Sequence, residues 1–518
     1  MRKYLIFAFV VVAAFIRSLL EKTDLGYKLL FLPGTGGFRT RMGLWKAWYT
    51  FEKARRECPA YADFCAKNSC EVTLNGWTPD FSKVVPIDKP NFIKVYDIAS
   101  RCIGGKLPTK GAVIDQSSGS TGKPTNWVRG DSERRAVART MQLALREFVG
   151  RDKKILFVNA FALGPWATGM SVSYSISDEC LLISTGPDID KIIGTLEDFG
   201  PEGWLYVIAG YPPFLKMLAD SKRLDWGKYQ ALGFYGGEGM SEGMRTYLMG
   251  TFKEVYGDYG ASDLEINIGA ENAFTVAVRR LMVTNEKLRR RINAPLSQLP
   301  GLERVQDHLP HIFQYNQLDY VVETNGEGEL IITLTRSSNV SPRIKYNIHD
   351  NGHVMSYSDL CRMLEAEGIS VSTLPPAIAN LPIMLHYGRS DLAASYYGCK
   401  IPPTDIEKIC FEIPELAKVF NSFRLITSED SDHNKHLEIA IELGQDQYLP
   451  SDEGAIDAIE KRVFELLMHH NQDYRESSRI AAQKGVHAKV VFYGFRQGPF
   501  VGSDIRLKNR YTEDAGKK

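Results

Sequence analysis

The apolar pattern of the chain begins with an uninterrupted run over residues 4–16, preceded by Arg2-Lys3 and closed by Arg17. Leu19-Leu20 and Leu29-Leu30-Phe31-Leu32 extend it, with basic residues interspersed. The run is shorter than the about 20 residues of a bilayer span. Its one small-residue cleavage option, Val12-Ala13-Ala14, lies inside the run and not after it, so an export signal would be poorly formed. An interfacial anchor or a buried first helix is the better reading. Residues 34–38, Gly-Thr-Gly-Gly-Phe, read as a turn. Residues 45–56 then read as a helix with Trp45, Trp48 and Phe51 on one face. Residues 84–96 mix Pro, Asp and Lys as loops do. After Asp131, a candidate helix cap, Val137, Met141, Leu145 and Phe148 recur at helical spacing, while Arg134, Arg135, Arg139 and Arg146 take the outer faces.

Strand patterns are short and frequent. Ala112-Val113-Ile114 and Trp127-Val128 bracket a loop, and further apolar runs fall at 155–158, 181–184, 204–209 and 232–235 with helical patterns between several of them. This alternation predicts an α/β fold, a mixed sheet with helices on its faces. Residues 320–323 and 329–335 flank Asn325-Gly326-Glu327-Gly328, a hairpin signal, and Pro342-Arg343-Ile344-Lys345-Tyr346 leads to His349-Asp350-Asn351-Gly352. That portion reads as antiparallel and barrel-like. Beyond Gly398-Cys399-Lys400-Ile401-Pro402-Pro403, a helical pattern and strands at 423–427 and 436–443 predict a compact α+β tail domain. The expected organisation is a helical segment over 1–83, a large domain over 84–390 and a small mobile domain over 391–518.

Composition narrows the class. A chain of 518 residues exceeds one ordinary core and predicts about two to four domain-sized units. With 44% hydrophobic residues, 24% charged residues and a formal charge of +1, it is neither disordered nor a nucleic-acid polyelectrolyte, so any anion site must be local. Cys58, Cys65 and Cys70 match no paired-cysteine zinc spacing; they and Cys102, Cys180, Cys361, Cys399 and Cys410 read as reduced thiols. The expected location is cytoplasmic, with peripheral membrane association through residues 4–20 as a further candidate.

Three stretches carry candidate chemistry. Ser117-Ser118-Gly119-Ser120-Thr121-Gly122-Lys123-Pro124 joins strand to strand and packs four hydroxyls, two glycines and a lysine into the seven residues from Ser117 to Lys123. Glycines let backbone N–H groups turn inward, and the hydroxyls and Lys123 add donors and charge, which suits a polyanion. It lacks the first glycine of a Walker loop, and no helix follows directly. A solvated Gly/Ser hairpin loop is the plain alternative. The runs Gly236-Gly237-Glu238-Gly239 and Gly257-Asp258-Tyr259-Gly260-Ala261-Ser262-Asp263 gather glycines, an aromatic and carboxylates at strand ends, where α/β sheets place ligands.

In this order, together with Tyr346 and Asp350, Gly388-Arg389-Ser390-Asp391, Gly398 and Ile406-Glu407, these stretches resemble the adenylate-forming superfamily, and within it the phenylacetate–CoA ligase-like branch. The resemblance implies an ATP- and Mg²⁺-dependent ligase that activates an aryl or fatty carboxylic acid as its adenylate and passes it to a thiol, most simply coenzyme A. It implies that Ser117, Ser118, Gly119, Ser120, Thr121, Gly122 and Lys123 grip the departing phosphates. Gly236, Gly237 and Glu238 would line the adenine, Tyr259 would stack on the purine beside Gly260, and Ser262 would bond the α-phosphate. Asp263 would hold Mg²⁺, a hard cation that prefers oxygen. Asp350 and Arg389 would bind the ribose, Asp391 would be the hinge of the tail domain, and Lys508, with Lys489 as second choice, would contact the α-phosphate and the substrate carboxylate.

The chain departs from the pattern in places. The family commonly has Glu where this chain has Asp263, and Lys where it has Thr125. Phe161 and Trp166, which follow a strand, are candidate walls of the acyl pocket and equally candidate core residues. Two other readings stay open: an adenylating enzyme that delivers to an amine, a hydroxyl or a carrier-protein thiol, and a catalytically inactive nucleotide-binding protein. Nucleic acid is not an expected partner.

Overall fold

The computed structural model describes residues 1–117, 125–150, 152–300, 302–389, 394–396, 399–429, 435–449, 453–483, 485–502 and 512–514. Within them the chain forms two compact units. One comprises residues 1–153, 163–182 and 258–388, the other residues 154–162, 183–257 and 389–518.

In the first unit the opening apolar run forms the helix Arg2–Leu20. It lies against the helix Gly36–Glu57, where Trp48 and Phe51 are buried as the three-residue spacing predicts. Phe7 meets Trp48 at 5.1 Å and Tyr49 at 5.3 Å, and Phe9 meets Trp45 at 5.7 Å. This second helix starts at Gly36, inside the stretch read as a turn. A tertiary contact accounts for the difference. Buried Arg39 donates to Thr35 Oγ1 at 2.6 Å and to the Asn380 carbonyl at 2.9 Å, which fixes the first turn despite its two glycines. The stretch 84–96, read as loop, contains a single π-helical turn, Lys89–Ile93. Asp88 and Asn91 cap it reciprocally, each side chain accepting from the other's backbone N–H.

The strands Ala112–Ser117 and Thr125–Gly130 pair antiparallel from Ala112↔Gly130 to Ser117↔Thr125, so the candidate phosphate loop does join strand to strand. Asp131 is the first residue of the helix Asp131–Val149 and not its cap, a position held by Gly130. There its charge still favours the helix N-terminus. The remaining strands of this unit run in the order Tyr320–Thr324, Glu329–Leu334, Tyr346–Met355, Ile383–Arg389, His311–Tyr315, Gly269–Ala270 and the end of Glu254–Tyr259. The hairpin predicted around Asn325-Gly326 is present, with Tyr320 opposite Leu334. One core, from Ile6 and Phe51 through Trp127 to Leu334 and Tyr346, gathers the helices and this sheet.

In the second unit, Ile155–Asn159, Leu205–Gly210 and Ala231–Gly236 pair in parallel, as their near-continuous apolar runs require. The helices Ile189–Phe199 and Pro212–Asp220 bury Ile192, Leu196, Phe214 and Leu218 in the core shared with these strands. The carboxy-terminal part carries a sheet ordered Lys489–Tyr493, Lys435–Leu443, Phe420–Glu429 and Thr512–Asp514. The helix Pro403–Glu412 contributes Ile406, Ile409 and Cys410 to its core. The architecture is mixed α/β, as the alternation of patterns predicts.

Candidate active site

In the first unit the site is built around residues 259–265. The strand Glu254–Tyr259 ends in a tight loop closed by Ala261 N–H to the Glu265 carbonyl (2.9 Å) and Leu264 N–H to the Ala261 carbonyl (3.0 Å). Gly260 is required by this closure itself. A Cβ there would stand 2.7 Å from the Ile266 Cα and 2.8 Å from the Glu265 carbonyl oxygen, closer than packed atoms come.

Two buried arginines hold the loop by its backbone. Arg129, on the strand Thr125–Gly130, donates to the carbonyls of Ser262 and Leu264 and to Asp115 Oδ2 at 3.3 Å. Arg343 donates to the Asp263 carbonyl at 2.9 Å and stacks on Trp127 at 4.7 Å. Burial, and then the neighbouring Arg129 charge, lower the Arg343 guanidinium to about 10, which leaves it charged at neutral pH. Glu265, buried, takes Arg336 as its counterion and a hydrogen bond from the Tyr320 phenol at 3.0 Å. Loop position is thus set by charge-assisted bonds that do not use the candidate ligand groups.

Asp263 is buried, its side chain 8% exposed, so its partners decide its chemistry. Oδ2 accepts from the Tyr346 phenol at 3.0 Å and pairs with Lys89 Nζ at 2.9 Å. Burial, reinforced by Asp263, raises the Tyr346 phenol well above the usual tyrosine range, so it stays a proton donor. Lys89 comes from the capped π-helical turn and is a third exposed, which makes it the movable partner of the pair. Among the described residues no group of three or more His, Cys, Asp or Glu side chains is arranged to hold a metal ion. That donor set does not make a protein cage. It does suit Mg²⁺ carried by a nucleotide triphosphate, which needs one or two carboxylates and keeps phosphate and water as its other ligands.

Tyr259 and Asp350 are brought together. The Tyr259 phenol donates to Asp350 Oδ2 at 2.7 Å, and His386 Nε2 lies 3.3 Å from the same oxygen. The Tyr259 ring is packed at 4.9 Å from His386 and 5.6 Å from Phe313. Asp350 owes its place to an irregularity in the strand Tyr346–Met355, whose register against Glu329–Leu334 shifts between Glu329↔Asn351 and Ile331↔Asn347. His349 takes φ +63° there, the left-handed region unusual for a side-chain-bearing residue, with its N–H on Asn347 Oδ1 at 2.8 Å. Both Tyr259 and Asp350 are buried, at 6% and 5% exposure.

In the second unit, Gly236 ends the strand Ala231–Gly236 and is followed by Gly237 at φ +78°. A Cβ on Gly237 would meet the Tyr211 ring at 2.7 Å, so this glycine lets the aromatic ring close on the strand end. Glu238 is partly exposed just beyond. Glu407 Oε2 accepts from the Ser241 N–H at 3.2 Å, which ties the helix Pro403–Glu412 to the turn after the glycines. Phe161 is buried with its ring 5.2 Å from Tyr211, whereas Trp166 belongs to the first unit, where it bridges to Gln116. Lys489 is exposed at the start of Lys489–Tyr493.

Ser118, Gly119, Ser120, Thr121, Gly122, Lys123, Asp391 and Lys508 lie outside the described residues, as do the side chains of Ser117 and Arg389. Sequence reasoning assigned no role to Lys89, Arg129, Arg343, Tyr346 or His386. Tyr346 ends the stretch that leads to Asp350, and His386 stands two residues before Gly388. Lys89 and Arg129 carry no local signal, because their partners are distant in sequence.

No protein-family model matches the sequence, and no curated protein matches it in sequence. Solved structures do match in fold. A 2-hydroxyisobutyryl-CoA ligase in the postadenylation state, in complex with R3-HIB-AMP, is similar with a TM-score of 0.64 and 12% identity, over 91% of this chain and 88% of that one. The same ligase in complex with 2-HIB-AMP gives 0.61 at 14% identity, over 93% and 90%. With 2-HIB-AMP and CoA, in the thioesterification state, it gives 0.51 at 14% identity, over 94% and 91%. At such identities the likeness is one of fold, and nearly the whole chain takes part: this protein has the fold of the adenylate-forming enzymes.

Proposed function

We propose that the protein is an AMP-forming acid–thiol ligase using ATP and Mg²⁺, with an aryl or fatty acid as substrate and coenzyme A as acceptor, close to the phenylacetate–CoA ligase-like branch. In the first step a carboxylate oxygen attacks the α-phosphorus, the bond to the β-phosphate oxygen breaks, and pyrophosphate leaves. In the second a thiol sulfur attacks the acyl carbon, the acyl–oxygen bond breaks, and AMP leaves. Such a reaction needs a polyanion, an adenosine and a carboxylate held in line, which is work for preorganised donors and not for a covalent nucleophile.

The observation that carries this reading is the fixed loop 259–265. Arg129 and Arg343 bind its carbonyls, so Ser262 and Asp263 are held without spending their own side chains on the backbone. Asp263, oriented by Tyr346, would be the carboxylate offered to the nucleotide's Mg²⁺, and Asp350, oriented by Tyr259, the carboxyl group offered to a ribose diol. Residues 118–123 and Lys508 would supply the phosphate and carboxylate contacts. The neighbours solved with an acyl-AMP and with CoA support both half-reactions. A cytoplasmic location, in which cysteines stay reduced, belongs to the same proposal.

The test is ATP-dependent pyrophosphate release against a panel of aryl, short-chain and long-chain fatty acids, with and without coenzyme A. Release with one acid class, stimulated by coenzyme A, is the expected result. Release that coenzyme A leaves unchanged would move the acceptor to an amine, a hydroxyl or a carrier thiol. ATP binding with no release for any acid would replace the ligase by a nucleotide-binding protein.

A further inference from the structure

The helix Arg2–Leu20 is long and apolar enough to cross a membrane, yet only 11% of its most apolar window is buried. Its two sides differ. Ile6 and Val10 are buried and Phe7 and Ala13 pack against the core, while Leu5, Val12, Phe15, Ile16 and Leu19 fall on the opposite side and are exposed, Phe15 at 65% and Ile16 at 50%. The buried side is fastened at both ends. Lys3 pairs with Glu52 at 2.9 Å, and Arg17 makes a two-pronged pair with Asp319, both bonds at 2.7 Å. Asp319 is 2% exposed and also faces Lys46 and Arg336, so withdrawing Arg17 would strip a buried carboxylate of its main partner. A helix threaded through a bilayer would have to break these contacts along its whole length.

The exposed apolar surface does not end with this helix. Leu25, at 72%, and Leu32, at 47%, are exposed in the segment that follows. Charge around it is one-sided. The first 50 residues hold eight basic residues and two acidic ones. Both acids are engaged, Glu21 by Arg17 and Asp24 by Arg139 and Arg146. Of the bases, Lys3, Arg17, Lys28 and Lys46 pair with Glu52, Asp319, Glu147 and Asp319 and Arg39 is buried, so the exposed charges that remain are those of Arg2, Lys22 and Arg41. An exposed apolar face on a segment whose remaining exposed charges are cationic matches an anionic lipid surface, the charge that a cytoplasmic leaflet presents. It does not match a second copy of itself, whose exposed charges would carry the same sign.

We propose that Arg2–Leu20 lies in the plane of an anionic membrane surface, one face docked on its own unit and the other in lipid. The inference is independent of the proposed reaction, and its readouts need no turnover. The full chain is sedimented with vesicles of phosphatidylcholine alone and of phosphatidylcholine with phosphatidylserine, at low and high salt. Binding to the phosphatidylserine vesicles, weakened at least fivefold by high salt and released by alkaline carbonate, is expected. Phe15→Glu combined with Ile16→Glu should reduce that binding at least tenfold with an unchanged circular dichroism spectrum and melting temperature. Phe15→Trp, which keeps the surface apolar, adds fluorescence that brominated lipid should quench, a check that stands if the glutamate variant misfolds. Failure to bind either vesicle overturns the proposal. So does carbonate-resistant, salt-insensitive binding, which would mean a spanning helix. Dimerisation in lipid-free buffer without vesicle binding would also overturn it, in favour of a second copy.

Discussion

The phenol of Tyr259 and the carboxyl group of Asp350, 91 residues apart in sequence, meet at 2.7 Å in the buried part of the first unit. The relationship joins a strand end to a strand irregularity. Tyr259 closes Glu254–Tyr259, and Asp350 follows the left-handed His349 in Tyr346–Met355. The bond, with His386 Nε2 3.3 Å from the same oxygen, fixes the direction of the Asp350 carboxyl group.

Tyr259→Phe removes the donor and leaves the ring. We expect a loss of about 1–3 kcal/mol, the range for a buried hydrogen bond to a carboxyl group. On the proposed reading part of this appears as nucleotide affinity, weakened about fivefold to tenfold in calorimetric titration with ATP or AMP. A lower melting temperature with unchanged nucleotide affinity would reduce the pair to a structural role.

Lys89 competes with any cation for Asp263, since its Nζ stands 2.9 Å from Oδ2. Lys89→Ala should therefore lower the Mg²⁺ concentration for half-maximal pyrophosphate release several-fold, while Asp263→Ala abolishes Mg²⁺-dependent release. A magnesium titration checks both. An unchanged midpoint in the lysine variant would place the metal away from Asp263.

Lys508→Ala should cut adenylation by a factor on the order of 10²–10³, the size of losing one preorganised charge contact. A supplied acyl-adenylate should still be consumed in the thiol-transfer step. Rapid-quench measurement of the two half-reactions separates them. Equal loss in both would move the role to another lysine, with Lys489 next in line.

His311 gives the fold a pH dependence. It is buried at 6% exposure, and although Glu271 lies 3.8 Å away, burial and the Arg279 charge lower its imidazole to about 3. The folded value lies below the unfolded value of about 6.5, so the unfolded chain binds the proton first. Stability from this group is fully present above pH ~6.5. It falls by up to about 1.4 kcal/mol per pH unit below that, until the folded imidazole itself titrates. Urea denaturation of the full chain from pH 7.5 to 5 should show the decline, and His311→Gln should flatten it. An unchanged slope in that variant would assign the decline to other groups.

The elements legible in the sequence are those written in local periodicity. The helix Asp131–Val149, the parallel strands Ile155–Asn159 and Ala231–Gly236 and the hairpin of Tyr320–Thr324 with Glu329–Leu334 each repeat at their own period within about 20 residues. Helix starts were less legible. Asp131 reads as a cap and is the first helical residue, and Gly36-Gly37 read as a turn and are helical because Arg39 is anchored on Asn380.

The sequence by itself determined the α/β class, the order of the candidate motifs and the place of the apolar first helix, because each is a property of neighbouring residues. Only the tertiary structure decided that Asp263 is bound by Lys89 and Tyr346, that Tyr259 is turned onto Asp350, and that Arg129 and Arg343 grip the loop by its carbonyls. It also decided that the first helix is docked along one side by Phe7 and Arg17 and left bare along the other. These partners lie tens to hundreds of residues apart. No periodicity spans such distances, so their pairing exists only once the packing of the core has closed the intervening chain.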